Sequence, residues 1–401
     1  MVTTVISYAD TRYRASAGLG YDGVVLISNG TSYGTGTLLF DGRALLTAAH
    51  LLAGSTGALS VEFQTKSGSE TLSVAKSVLH PGYAVAGASN DDLAIVWLSK
   101  APPLAANRYD IYRDANEIGQ AFTMVGFGQL GSGANGASVA NTNVLRVKAQ
   151  NTFDADAAKL KASLGASMAW SPLSGSQLVA DFDNGSPSQD ALGRLINVTD
   201  LGLGLNEGLI AHGDSGGPAF LAGKVAGVAS YTSSLSSGAI TPDVDAQPNS
   251  SFGEIAAWQR VSSFQQWIDQ SMRANYPNPP AKATDVKKDV PEGNSGTTLT
   301  YFFVQFTGVR ASADQVVSVE YATRDGTARA GSDYLAVSGR LNLYPNEANA
   351  VIPAEIVGDA TPEPDETFYL DVFNPIGGSF GPDVVKLTAI RTILNDDIQL
   401  I

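Results

Sequence analysis

The chain contains no cysteine in its 401 residues, so disulfide bonds contribute nothing to its stability. Packing or bound ions must supply that stability instead. Basic residues are also few, since 25 Lys and Arg against 39 Asp and Glu give a formal net charge of −14. A chain of this charge offers no basic surface to nucleic acid or to anionic membranes. We therefore expect neither as a partner.

Long apolar runs are missing as well. No run approaches the roughly 18 residues of a membrane-spanning helix, so we expect no membrane span. Residues 1–6 also lack the basic segment and apolar stretch of a conventional signal peptide. If the protein is secreted, which we favour, it is a processed form or uses an export route with another signal.

Glycine and short β-branched runs are abundant. The 42 glycines and the 44% hydrophobic content indicate a folded, mainly β protein of two or three domains. Three prolines lie within residues 277–280, and such a cluster favours an extended spacer that no helix can cross. We predict a first domain over residues 1–276, a linker over 277–283 and a second domain over 284–401.

The segment GDSGGP, residues 213–218, places one serine between glycines. Glycine permits the strained turn that would expose the hydroxyl of Ser215 as a nucleophile. The same turn can aim the amides of Gly213 and Ser215 at one point, where they would bind an oxyanion. Ser215 is therefore the first candidate for chemistry.

A serine nucleophile requires a histidine base, and a carboxylate that orients the histidine. The chain has only three histidines, and His50 ends the apolar run that begins at Leu45. Two aspartates, Asp91 and Asp92, directly precede the apolar run 93–98. That run is typical of a buried strand, so a carboxylate at its start would be anchored near the core.

The segments LTAAH, DDLAIVWL and GDSGGP, in that order, resemble the signature segments of the trypsin/chymotrypsin family. The resemblance extends over nearly all of residues 20–272. It implies that His50 is the base, Asp92 the orienting carboxylate and Ser215 the nucleophile, without a cofactor. It also implies an all-β fold of two barrels closed by a C-terminal helix. Bacterial relatives often lack disulfides, so we expect a bacterial-type member.

The resemblance also implies a specificity pocket. Counting back from Ser215 places the pocket floor at Leu209, with Ile210 beside it. No aspartate is present there to pair with a substrate Lys or Arg. The wall positions are Ser230, Tyr231 and Thr232. Because the last of these is branched, it would narrow the mouth, so we expect small or medium apolar side chains before the scissile bond.

The second domain has short alternating runs, which predict an antiparallel β-sandwich. The predicted strands are Thr298–Val304, Val316–Tyr321, Arg340–Leu343, Ala350–Ile352 and Thr367–Val372. The segments PEGNSG, DGTA, GSDY, EPDETF and ILNDD resemble the Calx-beta domain over about residues 284–398.

The Calx-beta resemblance implies calcium, a hard cation that prefers oxygen ligands. The implied ligands are Glu292, Asp325, Asp359, Glu363, Glu366, Asp396 and Asp397. Gly358 and Asn395 stand where the calcium-sensing version of the family has aspartates, so fewer or weaker ions are expected. The alternative is a structural sandwich whose loop carboxylates are simply solvated.

A further loop, Asp181-Phe182-Asp183-Asn184-Gly185, has two carboxylates and a glycine at the spacing of an ion-binding loop. It lacks the distal glutamate of an EF-hand. The sequence leaves two interpretations open, an ion site and an ordinary polar turn.

Together these observations predict a secreted serine endopeptidase that acts on protein or peptide substrates through an acyl-enzyme. One alternative is a calcium-binding adhesion or matrix-binding protein with an inactive protease-like domain. Another is an esterase that uses the same three residues.

Overall fold

The computed structural model describes residues 2–55, 57–83 and 89–397. By their internal contacts the residues form two compact units. Unit 1 comprises Met1–Leu39 and Arg43–Ile268, and unit 2 comprises Phe40–Gly42 and Asp269–Ile401. Among the described residues, no helix has the length and apolar character that a membrane crossing requires.

Unit 1 is built mainly from strands. They are β1 (Thr3–Thr4), β2 (Val24–Ser28), β3 (Tyr33–Leu38), β4 (Ala44–Thr47), β5 (Ser60–Thr65), β6 (Gly68–Leu79), β7 (Ala94–Leu98), β8 (Ala121–Gly126), β9 (Leu130–Ser132), β10 (Gly136–Val139), β11 (Val147–Thr152), β12 (Ala155–Asp156), β13 (Gln177–Asp181), β14 (Gly208–Leu209), β15 (Pro218–Leu221), β16 (Lys224–Ser233) and β17 (Ile255–Arg260). The helices are α1 (Ala157–Leu164), α2 (Ala191–Ile196) and α3 (Val261–Arg273), of which α3 belongs to unit 1 up to Ile268, and short 3₁₀ helices span Thr11–Tyr13, Ala49–Leu51, Gly165–Ser167 and Gly204–Asn206.

The first half of unit 1 is a closed barrel with the strand order β2-β3-β4-β7-β6-β5. In β5 the residues alternate between buried and partly exposed, as expected where one sheet face packs on a core. The β4 and β7 strands are buried throughout, which explains their continuous apolar runs. Val25, Leu45, Phe63 and Val96 belong to the barrel core.

The second half of unit 1 is a seven-stranded sheet with the order β11-β8-β15-β16-β17-β13-β12. Its core contains Phe122 stacked on Phe153, with ring centroids 4.0 Å apart. Trp258 meets the Phe122 ring edge-on at 4.9 Å. Together with the first barrel and α3, this sheet confirms the predicted trypsin-like architecture.

The first residues of the chain join this half through a smaller sheet. Strand β1 pairs antiparallel with β14, which places Thr3 opposite Leu209. The Thr3 hydroxyl donates to the carbonyl oxygens of Leu209 (3.1 Å) and Ser250 (2.7 Å). Val2 is fully buried. The N-terminal segment therefore helps to position the strand that leads to Ser215.

Unit 2 is a β-sandwich, antiparallel except for the parallel pairing of its first strand, and it confirms the prediction for the second domain. Its strands are β18 (Asp289–Pro291), β19 (Thr297–Gln305), β20 (Val317–Asp325), β21 (Tyr334–Leu335), β22 (Ser338–Leu343), β23 (Asn349–Val357), β24 (Glu366–Ile376) and β25 (Lys386–Leu394), and a 3₁₀ helix spans Ala283–Asp285. One sheet has the order β18-β25-β24-β20-β22 and the other β19-β23-β21. Each of the five predicted strands lies within an observed strand, with at most one residue outside it.

A buried arginine joins the two halves of unit 1. The side chain of Arg146, directly before β11, is only 2% exposed and forms an ion pair with Asp22 at 2.7 Å. Its other N–H groups donate to the carbonyl oxygens of Ala15 (2.9 Å), Val24 (3.1 Å) and Gln64 (3.2 Å). One side chain thereby satisfies backbone groups that would otherwise be buried without partners.

We expect Arg146→Ala to lower the free energy of unfolding of unit 1 by about 3–5 kcal/mol, because it leaves the buried Asp22 carboxylate without a cationic partner and removes a donor from each of the three carbonyl groups. The matched control is Arg12→Ala. Arg12 pairs with Asp10 at 3.1 Å, but the two side chains are 35% and 29% exposed. The control should cost less than about 1 kcal/mol. Urea unfolding of both variants measures the difference, and equal effects would contradict the assignment.

Candidate active site

The pairing of β4 with β7 brings His50 and Asp92 together. Thr47 lies opposite Ala94, so the residues after β4 and those before β7 meet at one end of the barrel. His50 lies on the 3₁₀ helix Ala49–Leu51. Its Nδ1 is 2.7 Å from Oδ2 of Asp92, and its backbone N–H donates to Oδ1 at 2.8 Å. One carboxylate thus holds both the ring and the backbone of the histidine.

Asp92 is 1% exposed, so its charge depends on protein partners. A third hydrogen bond comes from the Ser230 hydroxyl to Oδ2 at 2.6 Å. The Gln259 amide in turn donates to the Ser230 oxygen at 3.2 Å. Sequence reasoning assigned Ser230 to the pocket wall alone. Its second role depends on strand pairing, which no local motif encodes.

The turn around Ser215 has the backbone conformation that its glycines permit. The φ angles of Gly213 and Gly216 are +96° and +82°, where a side chain would be strained. The Ser215 carbonyl accepts from the Thr35 amide at 2.8 Å, and the Gly216 amide donates to the Ala229 carbonyl at 2.8 Å. The amides of Gly213 and Ser215 have no acceptor among the described residues, so both could donate to a substrate.

The close packing of Gly216 shows how near this turn lies to the histidine. A Cβ atom at Gly216 would lie 2.1 Å from the Thr47 hydroxyl oxygen and 2.9 Å from the Ala48 amide nitrogen. Only glycine allows this approach. The residue after Ser215 therefore packs directly on the segment that ends in His50.

The Asp214 carboxylate stabilises the turn around Ser215 through hydrogen bonds. It is 1% exposed, and its carboxylate accepts from the amides of Ala211 (2.8 Å) and Gly128 (2.9 Å). Burial raises the pKa of Asp214, while the bond from Ala211 acts in the opposite direction. Because Asp214 lies between Gly213 and Ser215, these bonds also hold the two amides in place.

A cavity of about 330 Å³ opens beside Ser215. Four of the predicted pocket residues line it, namely Ile210, Ser230, Tyr231 and Thr232. None of the described residues that line it is acidic. The other lining residues are Gln129, Ala137, Ala211, His212, Pro248, Asn249 and Ser250.

The structure places Leu209 elsewhere than expected. Leu209 is fully buried in β14, opposite Thr3, and packs in the core that contains Phe122. The side of the cavity is formed instead by residues 248–250. Sequence reasoning missed that segment because it lies in a long loop after Thr232 whose path no motif indicates.

In unit 2 five of the seven predicted calcium ligands lie in two groups. Glu292, Asp396 and Asp397 each offer an oxygen within 4.8 Å of the others, and so do Glu363 and Glu366 with Asp333, which the sequence analysis had not assigned. Burial raises the pKa of Glu292 to about 7, with repulsion from Asp359 and Asp397 adding to it.

The remaining predicted ligands lie outside these groups. Asp325 accepts from the Tyr334 hydroxyl at 2.6 Å and lies 3.7 Å from the Arg329 guanidinium. The Tyr334 hydrogen bond is the main reason why the pKa of Asp325 is lowered. Asp359 accepts from the Thr361 amide at 2.6 Å.

Gly358 could not be the aspartate of the calcium-sensing version without rearrangement. A Cβ atom there would lie 2.2 Å from the Gly293 carbonyl oxygen. Asn395, the other departure, accepts from the Glu363 amide at 3.1 Å. It therefore orders the loop beside the second carboxylate group.

Comparison with known proteins finds one family match in each of the two units. The trypsin family matches residues 13–268, and the Calx-beta domain matches residues 293–397. Sodium/calcium exchanger Calx of Drosophila melanogaster is 38% identical over 88 residues, 22% of this chain and 9% of the exchanger. Human sodium/calcium exchanger 2 is 38% identical over 92 residues, 20% of this chain and 10% of the exchanger.

This chain thus spans about a tenth of the length of these exchangers. The solved structure of neuropsin, a serine protease expressed in the limbic system of mouse brain, is 16% identical. It aligns with a TM-score of 0.46 over 68% of this chain and 98% of neuropsin. The trypsin match covers more than half of the 401 residues. The chain therefore belongs to the trypsin family and carries a Calx-beta domain after it.

Proposed function

We propose that the protein is a serine endopeptidase that hydrolyses peptide bonds through an acyl-enzyme. The observation that carries the proposal is the buried Asp92, hydrogen-bonded to Nδ1 of His50 beside the Ser215 turn. Because Asp92 occupies Nδ1, Nε2 is the nitrogen of His50 that faces the reaction. No cofactor is needed for this chemistry.

In the first stage, Nε2 of His50 takes the hydroxyl proton as Oγ of Ser215 forms a bond to the peptide carbonyl carbon. The Gly213 and Ser215 amides donate to the resulting oxyanion, and Asp92 stabilises the imidazolium. His50 then gives the proton to the leaving amine as the C–N bond breaks. A water molecule, deprotonated by His50, attacks the acyl-enzyme and releases the acid and the serine.

We expect Ser215→Ala to abolish labelling by a fluorophosphonate probe, because the probe reacts with an activated serine oxygen. Turnover of a peptide substrate should fall by roughly 10⁶-fold. Ser69→Ala, which alters an exposed serine on β6, is the control and should label as the parent does. An unlabelled parent would contradict the proposal and favour an adhesion role. Ester turnover without peptide cleavage would identify an esterase.

For specificity, we propose that small or medium apolar side chains occupy the cavity. Ile210, Ala211, Ala137 and Pro248 supply its apolar surface. Lys and Arg are disfavoured, because an ammonium or guanidinium group would be desolvated there without a carboxylate partner among the described lining residues.

The cavity segment 248–250 is held by Glu254. Glu254 is fully buried, and Oε1 accepts from the amides of Asn249 (2.7 Å) and Ser251 (3.0 Å). Oε2 is buried without a hydrogen-bond partner among the described residues. Burial raises the pKa of Glu254 to about 7, against the opposing effect of the two amides.

We expect Glu254→Gln to become more stable relative to the parent as the pH rises from about 4.5 to about 7. The folded parent binds the Glu254 proton more tightly than the unfolded chain does. Proton binding at Glu254 therefore stabilises the fold fully below about pH 4.5, and this stabilisation is lost as the pH rises through about 7. Gln keeps the Oε1 acceptor and does not titrate. Glu70→Gln, at a side chain 43% exposed, is the control. Parallel pH profiles of unfolding for parent and Glu254→Gln would refute the assignment.

For unit 2, we propose calcium binding at the group formed by Glu292, Asp396 and Asp397. One Glu292 oxygen is buried without a hydrogen-bond partner among the described residues, and so is one Asp397 oxygen. Carboxylate oxygens with unfilled hydrogen-bonding capacity suit a hard cation.

We also propose that the protein is secreted, because a protease of this kind would degrade cytoplasmic proteins. Its lack of cysteine leads us to propose a bacterial-type member of the family. The relatives named above are animal proteins.

Glu292→Gln should weaken calcium binding to the full-length protein by at least tenfold, because it removes a charged ligand and leaves the geometry similar. Asp285→Asn, at a side chain 40% exposed, removes one charge from the same unit and should change the affinity less than twofold. Isothermal titration calorimetry measures both. Unchanged calcium affinity in Glu292→Gln would show that this group is structural.

A further inference from the structure

A second group of carboxylates lies inside unit 1, away from Ser215. Asp181, Asp183 and Asp190 are 1%, 3% and 3% exposed. Each offers an oxygen within 4.8 Å of the others. Such burial of neighbouring negative charges is costly unless protons or a cation neutralise them.

Local structure fixes two members of this group, which we call the inner carboxylates. Asp181 ends β13, and its Oδ2 accepts from the Leu192 amide at 2.7 Å. Asp190 is the N-cap of α2, and its Oδ1 accepts from the Gly193 amide at 2.6 Å. Each therefore has one oxygen engaged with the helix. The Asp181 side chain also shares a hydrogen bond with the Asp154 side chain, and Asp190 accepts one from the Asp200 backbone.

Asp183 is held through its backbone. Its amide donates to Oε1 of Glu207 at 2.7 Å, and Oε2 of Glu207 accepts from the Leu203 amide at 2.6 Å. Glu207 is fully buried. Gly202 packs against both acids, since a Cβ atom there would lie 1.8 Å from Oε2 of Glu207 and 2.8 Å from Cβ of Asp183.

The Asp183 side chain is the unexplained group. Its Oδ1 is buried and has no hydrogen-bond partner among the described residues. The charges that act most strongly on it are carboxylates, those of Asp181, Glu207, Asp190 and Asp154. Burial first, and then this repulsion, raise the pKa of Asp183 to about 10. A side chain that only stabilises a turn does not need to bury an oxygen without a hydrogen-bond donor among other carboxylates.

We propose that Asp181, Asp183 and Asp190 bind one calcium ion in unit 1. Calcium lies about 2.3–2.6 Å from its oxygen ligands, so two ligand oxygens on opposite sides of it are about 5 Å apart. The separation of up to 4.8 Å fits that limit. The three donors are oxygen atoms, which select a hard cation over a soft one.

The ion would connect three elements of unit 1 that lie near one another in the sequence. It would bridge the end of β13 to the start of α2, and through Glu207 it would support β14. Two residues that follow β14, Ile210 and Ala211, line the cavity beside Ser215. The ion would therefore stabilise the pocket wall in a chain without disulfides. This proposal does not depend on proteolysis.

The test compares Asp183→Asn with its parent, both in the full-length protein carrying Ser215→Ala, which prevents self-digestion. Native mass spectrometry counts the bound calcium ions, and thermal unfolding is followed in calcium and in chelator. The variant should bind one ion fewer. Calcium at 100 times its dissociation constant should raise the unfolding temperature of the parent by about 5–10 °C, and that of unit 1 in the variant by much less.

The change in unfolding temperature that Asp183→Asn causes in chelator distinguishes calcium binding by Asp183 from a purely structural role of this side chain. Without calcium, Asp183→Asn should unfold at the same temperature as the parent or higher, because asparagine, unlike aspartate, carries no charge that must be neutralised on burial. With calcium it should unfold at a lower temperature. Asp10→Asn, which removes a charge from a partly exposed side chain of unit 1, should show no such reversal.

Asp190→Asn is the second variant, because asparagine also caps a helix and should preserve α2. It should lose the same ion. Glu292→Gln identifies an ion bound by the Glu292, Asp396 and Asp397 group of unit 2, so failure of that site is distinguishable from failure of this one. An unchanged ion count in both unit 1 variants, with equal temperature shifts in calcium and chelator, would overturn the proposal. Equal stabilisation by magnesium at the same concentration would overturn the choice of calcium.

Discussion

The burial of the Asp92 carboxylate is the constraint on which the arrangement at the active site depends. A desolvated charge must be compensated by donors, and Asp92 obtains them from the His50 backbone, the His50 ring and Ser230. These donors come from distant parts of unit 1. The same three bonds therefore set the orientation of the imidazole and tie the β4 turn to β16.

Buried acids recur throughout unit 1, each with a different means of compensation. Asp22 is paired with Arg146, and Asp214 accepts two backbone amides beside the nucleophile. Glu254 holds the pocket segment and has a raised pKa. Without cysteine, such long-range polar contacts take the place that disulfides occupy in many small secreted domains. Asp183, like Glu254, has one buried oxygen without a hydrogen-bond partner among the described residues, and the charges that act most strongly on it are carboxylates.

Much of the fold was predictable from local patterns. The continuous apolar runs of β4 and β7 and the alternating runs of β19, β20 and β24 are each found as strands. The pocket was less predictable. Counting back from Ser215 placed Leu209 at its floor, but pairing with the N-terminal strand directs Leu209 into the core. Residues 248–250 line the cavity because a buried glutamate holds them, and no spacing rule indicates that contact.

The amino-acid sequence by itself determined the strand-rich architecture, the identity of His50, Asp92 and Ser215 as the residues to examine, and the acidic character of the unit 2 loops. These follow from periodicity and short motifs, which depend on near neighbours in the chain. Tertiary structure alone decided that Ser230 supports Asp92, that Asp325 is engaged with Tyr334, and that Asp190 and Glu207 join Asp181 and Asp183. Such convergence arises from strand register and from the desolvation of charges, and both are properties of the folded chain.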